Sequence, residues 1–112
     1  MSVELSLDRT DFEPGEVVTG TARAQGRGRV VVSLLWYTAG RGTEDVGIVA
    51  RQEGEVDGQA SLPFELRLPL EPWSFSGTLV SVSWAVEVSI EPNGGVTRQD
   101  IVSAPGRQPR SP

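Results

Sequence analysis

The side chains able to do chemistry here are few in kind. There are fifteen carboxylates, ten basic residues that are all arginine, one tyrosine (Tyr37), and scattered serines and threonines. Histidine, cysteine and lysine do not occur. Their absence removes imidazole bases and ligands, thiol nucleophiles, metal–thiolate sites, Schiff-base chemistry and the phosphate-loop lysine. A hydrolase built from what remains needs two carboxylates held about 5–9.5 Å apart in a cleft. Glu44, Asp45, Glu53, Glu55, Glu65 and Glu87 pair in many ways, and no spacing selects one. A calcium loop takes about six to eight oxygens from spaced acids in one segment. Thr43-Glu44-Asp45, with Glu55 and Asp57 in a neighbouring turn, falls short of that and reads as a short solvated turn. The expectation is no catalytic residue, no metal ligand and no cofactor.

Arginine clamps phosphate bidentately, and Arg23, Arg27 and Arg29 cluster while Arg98, Arg107 and Arg110 punctuate the end of the chain. The net charge is nevertheless -5, and neither a basic helix nor an RNA-stacking aromatic pattern accompanies them. Nucleic acid is not an expected partner. Gly26-x-Gly28 has no helix behind it and reads as a hairpin turn, not a phosphate loop. Trp73 and Phe75 are different. They lie in the loop Leu70-Glu71-Pro72-Trp73-Ser74-Phe75-Ser76-Gly77, where aromatics serve as a sugar platform, as an interface anchor, or as a cap over the open end of a core. They are the candidate partner-binding residues.

The elements that must position these groups follow a period of two. In 80–90, Val80, Val82, Trp84, Val86, Val88 and Ile90 share one face, with Ser81, Ser83, Ala85, Glu87 and Ser89 on the other. In 62–70, Leu62, Phe64, Leu66, Leu68 and Leu70 alternate with Pro63, Glu65, Arg67 and Pro69, and Pro63 argues for an edge or a bulge. Weaker strands are expected at 3–7, 16–24, 45–52 and 97–102. Segment 29–38 is apolar on both faces, as in a central strand covered on two sides. Trp36 and Trp84 fall on inward faces and read as core. Turn signals stand at Glu13-Pro14-Gly15, Gln25-Gly26-Arg27-Gly28, Ala39-Gly40-Arg41-Gly42, Asp57-Gly58 and Asn93-Gly94-Gly95. About seven short strands with regular turns predict an all-β, immunoglobulin-like antiparallel β-sandwich over 1–104. The tail 105–112 has no apolar anchor and is expected to be disordered.

Size agrees with one domain: 112 residues give a folded surface of roughly 6,000 Å², enough for a core without staples. Met1-Ser2-Val3-Glu4-Leu5 has neither a basic n-region nor an apolar h-region, and no apolar run reaches the ~20 residues needed to span a bilayer. A cytoplasmic protein with no membrane span is expected.

Two stretches carry a family resemblance. Leu7-Asp8-Arg9-Thr10-Asp11-Phe12-Glu13-Pro14-Gly15-Glu16-Val17-Val18-Thr19-Gly20 is similar to the opening of arrestin-fold domains, in which a strand runs into an aromatic-x-Pro-Gly-Glu turn and a Val-rich strand. Leu62-Pro63-Phe64-Glu65-Leu66-Arg67-Leu68-Pro69, then Pro72-Trp73-Ser74-Phe75-Ser76-Gly77 and the strand bearing Trp84, resembles the second half of an arrestin-like N-terminal domain. The resemblance runs over residues 3 to 103 and suits a single-domain, bacterial-type member. It implies a non-catalytic protein-binding scaffold, with self-association through an edge strand as its simplest form. A carbohydrate-binding module using Trp73 and Phe75 is the alternative. The chain has room for one of the family's usual two domains, and with no lysine the family's lysine-based phosphate sensing does not carry over.

Overall fold

The computed structural model describes residues 2–40, 44–77, 79–92 and 94–111. Arg41, Gly42, Thr43 and Asn93, which belong to expected turns, lie outside them. Seven strands follow in order: β1 (Ser2–Leu7), β2 (Asp11–Phe12), β3 (Val17–Gly40), β4 (Val46–Arg67), β5 (Phe75–Ser76), β6 (Val80–Glu91) and β7 (Val96–Ser103). The fold is all-β, as the alternation predicts.

The strands are not the seven expected. Segments 16–24 and 29–38 fuse into β3, segments 45–52 and 62–70 fuse into β4, and the short β2 and β5 make up the number. Gly26-x-Gly28 and Asp57-Gly58 are therefore not hairpin turns: Gly26 pairs with Gly58, Arg27 with Asp57 and Gly28 with Val56 inside one antiparallel ladder. The physical reason is length. Twenty-four residues at ~3.3 Å each would span about 79 Å, whereas the longest dimension of the molecule is 47 Å, so β3 has to bend. It bends where Gly26 and Gly28 take φ of 141° and 145°, a region closed to most L-residues. A Cβ on Gly28 would also lie 2.2 Å from the Glu91 carbonyl oxygen.

That bend makes two layers from one hydrogen-bonded sheet. The first half of β3 carries β1 on one side and the second half of β4 on the other. Its second half carries the start of β4 and, opposite, β6, which pairs with β7. All these pairings are antiparallel; β2 adds in parallel, against Val102 and Ser103. The hairpin ends are where turn residues were expected, with Thr38 and Asp45 closing β3–β4 and Ile90 and Gly95 closing β6–β7.

The core lies between the layers and follows the predicted alternation from Trp84 to Ile90, but Val80, expected inward, is exposed, and Ala85, expected outward, is buried. Trp84, Val86, Val88 and Ile90 of β6 meet Val18, Ala22, Val30, Val32 and Leu34 of β3, Phe64 and Leu66 of β4, and Leu68 just beyond it. At ~25 cal/mol per Å² of buried apolar area, this is the dominant stabilising contribution. Trp84 is completely buried and its indole N–H donates to the Pro72 carbonyl (2.9 Å). Trp36 is half-buried, its ring lying against the bare backbone of Gly47. Leu70, expected inward, is 70% exposed because β4 ends at Arg67, before it. Val31 and Leu35 are buried on the outer face of β3, but among the described residues no strand covers them. Across the ladder Val31 lies between Glu53 and Ser89 and Leu35 between Ile48 and Ala85, and elsewhere on the sheet Arg98 bonds Glu87 and stacks on Tyr37, whose hydroxyl donates to Asp100.

The tail departs from expectation. Residues Pro105–Arg107 form a 3₁₀ turn, and Arg110 pairs with the loop before β5. Its anchors are polar and backbone groups, which is why apolar patterning missed them.

Candidate functional site

Two surfaces carry the residues that sequence reasoning singled out or overlooked. The first is the outer edge of β4, which among the described residues pairs only with β3. Pro63 thus sits on an edge, as its missing N–H requires. The C-terminal part of that edge is occupied: the Gln52 amide donates to the Pro63 carbonyl (3.0 Å) and accepts from the Glu65 N–H (3.4 Å). Gln52 lies opposite Val32 at the seam between the layers, so one polar side chain bridges both halves of a bent strand. The N-terminal part is open. A bulge at Leu34/Leu35, where Leu34 pairs with Ala50 and Leu35 with Ile48, leaves Val49 without a partner in the ladder. Val46, Ile48 and Val49 are 61%, 57% and 41% exposed, a run of aliphatic side chains beside unpaired backbone. Expected alternation put Val46 and Ile48 with Ala50; the bulge breaks that phase.

The second surface is the 71–77 loop. Trp73 is 41% exposed and Phe75 half-buried. The Trp73 indole N–H donates to the Leu70 carbonyl (2.8 Å), and the Arg110 guanidinium lies 5.4 Å from the ring centroid. Phe75 pairs with Val82 of β6 and forms a parallel bridge with Arg110. Buried Ser74 fixes the loop to β7: its N–H donates to the Ser103 carbonyl (2.7 Å) and its hydroxyl accepts from the Ser103 N–H (3.0 Å). The structure therefore brings Trp73 and Phe75 together with an arginine from the tail. Sequence reasoning grouped Arg110 with the arginines at the end of the chain and not with these aromatics, because a Pro/Arg/Ser segment carries no periodic signal.

The carboxylates do not converge. Among the described residues no three Asp or Glu side chains are placed to hold a metal ion. Asp57 faces Arg27, Glu53 lies between Arg29 and Arg51, and Glu87 bonds Arg98. The arginines are thereby dispersed along strands rather than gathered into a phosphate clamp. The Glu13–Glu16 turn carries a further charged cluster with Arg9 and Arg107. Gly15 takes φ of 86°, and Glu16 accepts from the Glu13 N–H and from Arg9. Those bonds, the backbone one first, hold the Glu16 carboxyl below the usual carboxylate range, helped by the charge of Arg107. Glu13 in turn accepts from the Gly106 N–H (2.8 Å), so this turn also holds the tail.

A solved structure is similar over most of this chain: Spo0M, a sporulation control protein from Bacillus subtilis, superposes with a TM-score of 0.64. The fold is arrestin-like. Sequence identity to Spo0M is 17% over 91% of this chain, and the chain spans 48% of that structure. No family model matches the chain, and no curated protein matches it. Among the described residues no helix is long and apolar enough to cross a membrane.

Proposed function

We propose that this domain is a non-catalytic protein-interaction module of the arrestin-like family that self-associates by adding a second copy along the N-terminal half of the β4 edge. The observation that carries this reading is the open backbone beside exposed Val46, Ile48 and Val49. An unpaired edge flanked by aliphatics is a template for another strand. Charge agrees with a two-fold arrangement. Antiparallel pairing of two copies centred on Ile48 sets Asp45 of each copy opposite Arg51 of the other. The bulge and the Gln52 clamp limit the ladder to a few residues, which favours a closed dimer over open-ended stacking. Similarity to a sporulation control protein supports a regulatory or scaffolding role.

The test is light scattering over a concentration series. The mass is expected to rise from 12.0 kDa toward twice that value, and Ile48→Lys, which puts a charge at the centre of the pairing, is expected to return it to the monomer. A wild-type chain that stays monomeric to millimolar concentration rejects the proposal. The glycan-platform alternative is the weaker reading, because Arg110 already stacks on Trp73 and the indole N–H is bonded internally.

A further inference from the structure

The tail does more than end the domain; its Arg110 completes one wall of a groove. Glu71, Pro72, Trp73, Ser74, Phe75 and Arg110 line a depression of about 360 Å³. The backbone of Arg110 engages it like an added strand: its N–H donates to the Ser74 carbonyl (2.9 Å), and its carbonyl accepts from the Ser76 N–H (2.8 Å). The arginine side chain takes the face of Trp73, and Pro109 forms part of the wall of an adjoining depression with Val82, Ile101 and Val102. Each contact is of a kind another chain can supply. Main-chain pairing is indifferent to sequence, the ring face selects a cation, and the preceding proline supplies a wall of the adjoining depression.

From this we infer that the groove between the 71–77 loop and β7 is a docking site for an extended Pro-Arg segment of a partner protein, with the chain's own Pro109-Arg110 as its resident occupant. The tail is poorly placed to hold the site against competition. It reaches the groove through Gly106 (φ 77°) and Arg107 (φ 59°), and the second is a non-glycine residue in the left-handed region, where strain is stored. An incoming segment needs no such hinge. Charge favours the same ligand: Glu71 stands on the rim, and the chain carries a net -5. This surface is independent of the β4 edge and stands whether or not the chain dimerises.

Fluorescence anisotropy of a labelled Gln-Pro-Arg-Ser-Pro peptide, titrated with the full chain, tests it. Binding to the wild type is expected. Arg110→Ala should bind about two- to five-fold more tightly, the factor that one exposed cation–π contact represents, because the competing tail is loosened. Trp73→Ala should lose binding and Trp73→Phe should fall between, while circular dichroism checks that each variant is folded. A peptide with alanine in place of arginine should not bind. Unchanged affinity in Trp73→Ala, no gain in Arg110→Ala, or equal binding of the alanine peptide each overturns the assignment. A doubled mass that Arg110→Ala returns to the monomer would reveal tail exchange between copies and overturn the partner-protein reading.

Discussion

Trp84→Phe tests the link between the core and the loop it positions. Trp84 is fully buried, opposite Trp36 on β3, and its indole N–H holds the Pro72 carbonyl. Exchanging indole for phenyl removes about 40 Å³, or ~1 kcal/mol at ~24 cal/mol per Å³ of unfilled space. The lost transfer of the missing atoms adds about another 1 kcal/mol. Depriving the Pro72 carbonyl of its donor adds about 1 kcal/mol more. A loss near 3 kcal/mol lowers the thermal midpoint by roughly 12 °C in a domain of this length. The assay is thermal denaturation followed by circular dichroism, paired with amide exchange across 71–77. Val86→Ala serves as the control, since Val86 is equally buried on the same strand but makes no bond to the loop. Exchange in the loop should quicken in Trp84→Phe and not in Val86→Ala. A midpoint within 3 °C of wild type (about a quarter of the shift worked above), or equal loop exchange in both variants, refutes the reasoning.

Three further outcomes follow from named contacts. Gly28→Ala should destabilise more than Gly58→Ala: both glycines have positive φ, but a Cβ at 28 meets the Glu91 carbonyl at 2.2 Å and one at 58 meets nothing. Urea midpoints should place the first at least about 2 kcal/mol below wild type and the second at about 1 kcal/mol. Glu16 should titrate below the ~4.3 of an ordinary glutamate, by carbon-detected NMR, because the Glu13 N–H and Arg9 favour its charged form. Between the folded and unfolded midpoints the unfolded chain binds more protons. The stabilisation is therefore complete above the unfolded value and lost as pH falls through the folded one, and Glu16→Gln should flatten that dependence. Ser103→Ala should raise stability by about 1 kcal/mol in a denaturant titration, since the fully buried Ser103 hydroxyl has no hydrogen-bond partner among the described residues.

What the chain reveals before folding is uneven, for physical reasons. Alternation along 80–90 exposes the core face of β6, because burial on one side of a pleated strand imposes a period of two. The Phe12-Glu13-Pro14-Gly15 turn is legible too, since proline and glycine each favour one kind of backbone. Glycines at 26, 28 and 58 mislead because the same positive φ serves a tight turn or a bend within a continuous strand, and only cross-strand pairing distinguishes them. The open edge is invisible for a related reason: the bulge that exposes Ile48 and Val49 depends on the register between β3 and β4, not on either segment alone. Trp73 and Phe75 could be picked out as loop aromatics, but the arginine that meets them comes from a tail whose anchoring bonds are made by backbone.

Residue-resolved amide exchange, followed as protein concentration is raised, probes the β4 edge most directly. Slowed exchange confined to outward-facing amides between Val46 and Arg51, absent from the Ile48→Lys variant, is the expected result. Protection that does not change with concentration there, or that grows on β1 instead, would contradict strand addition at this edge.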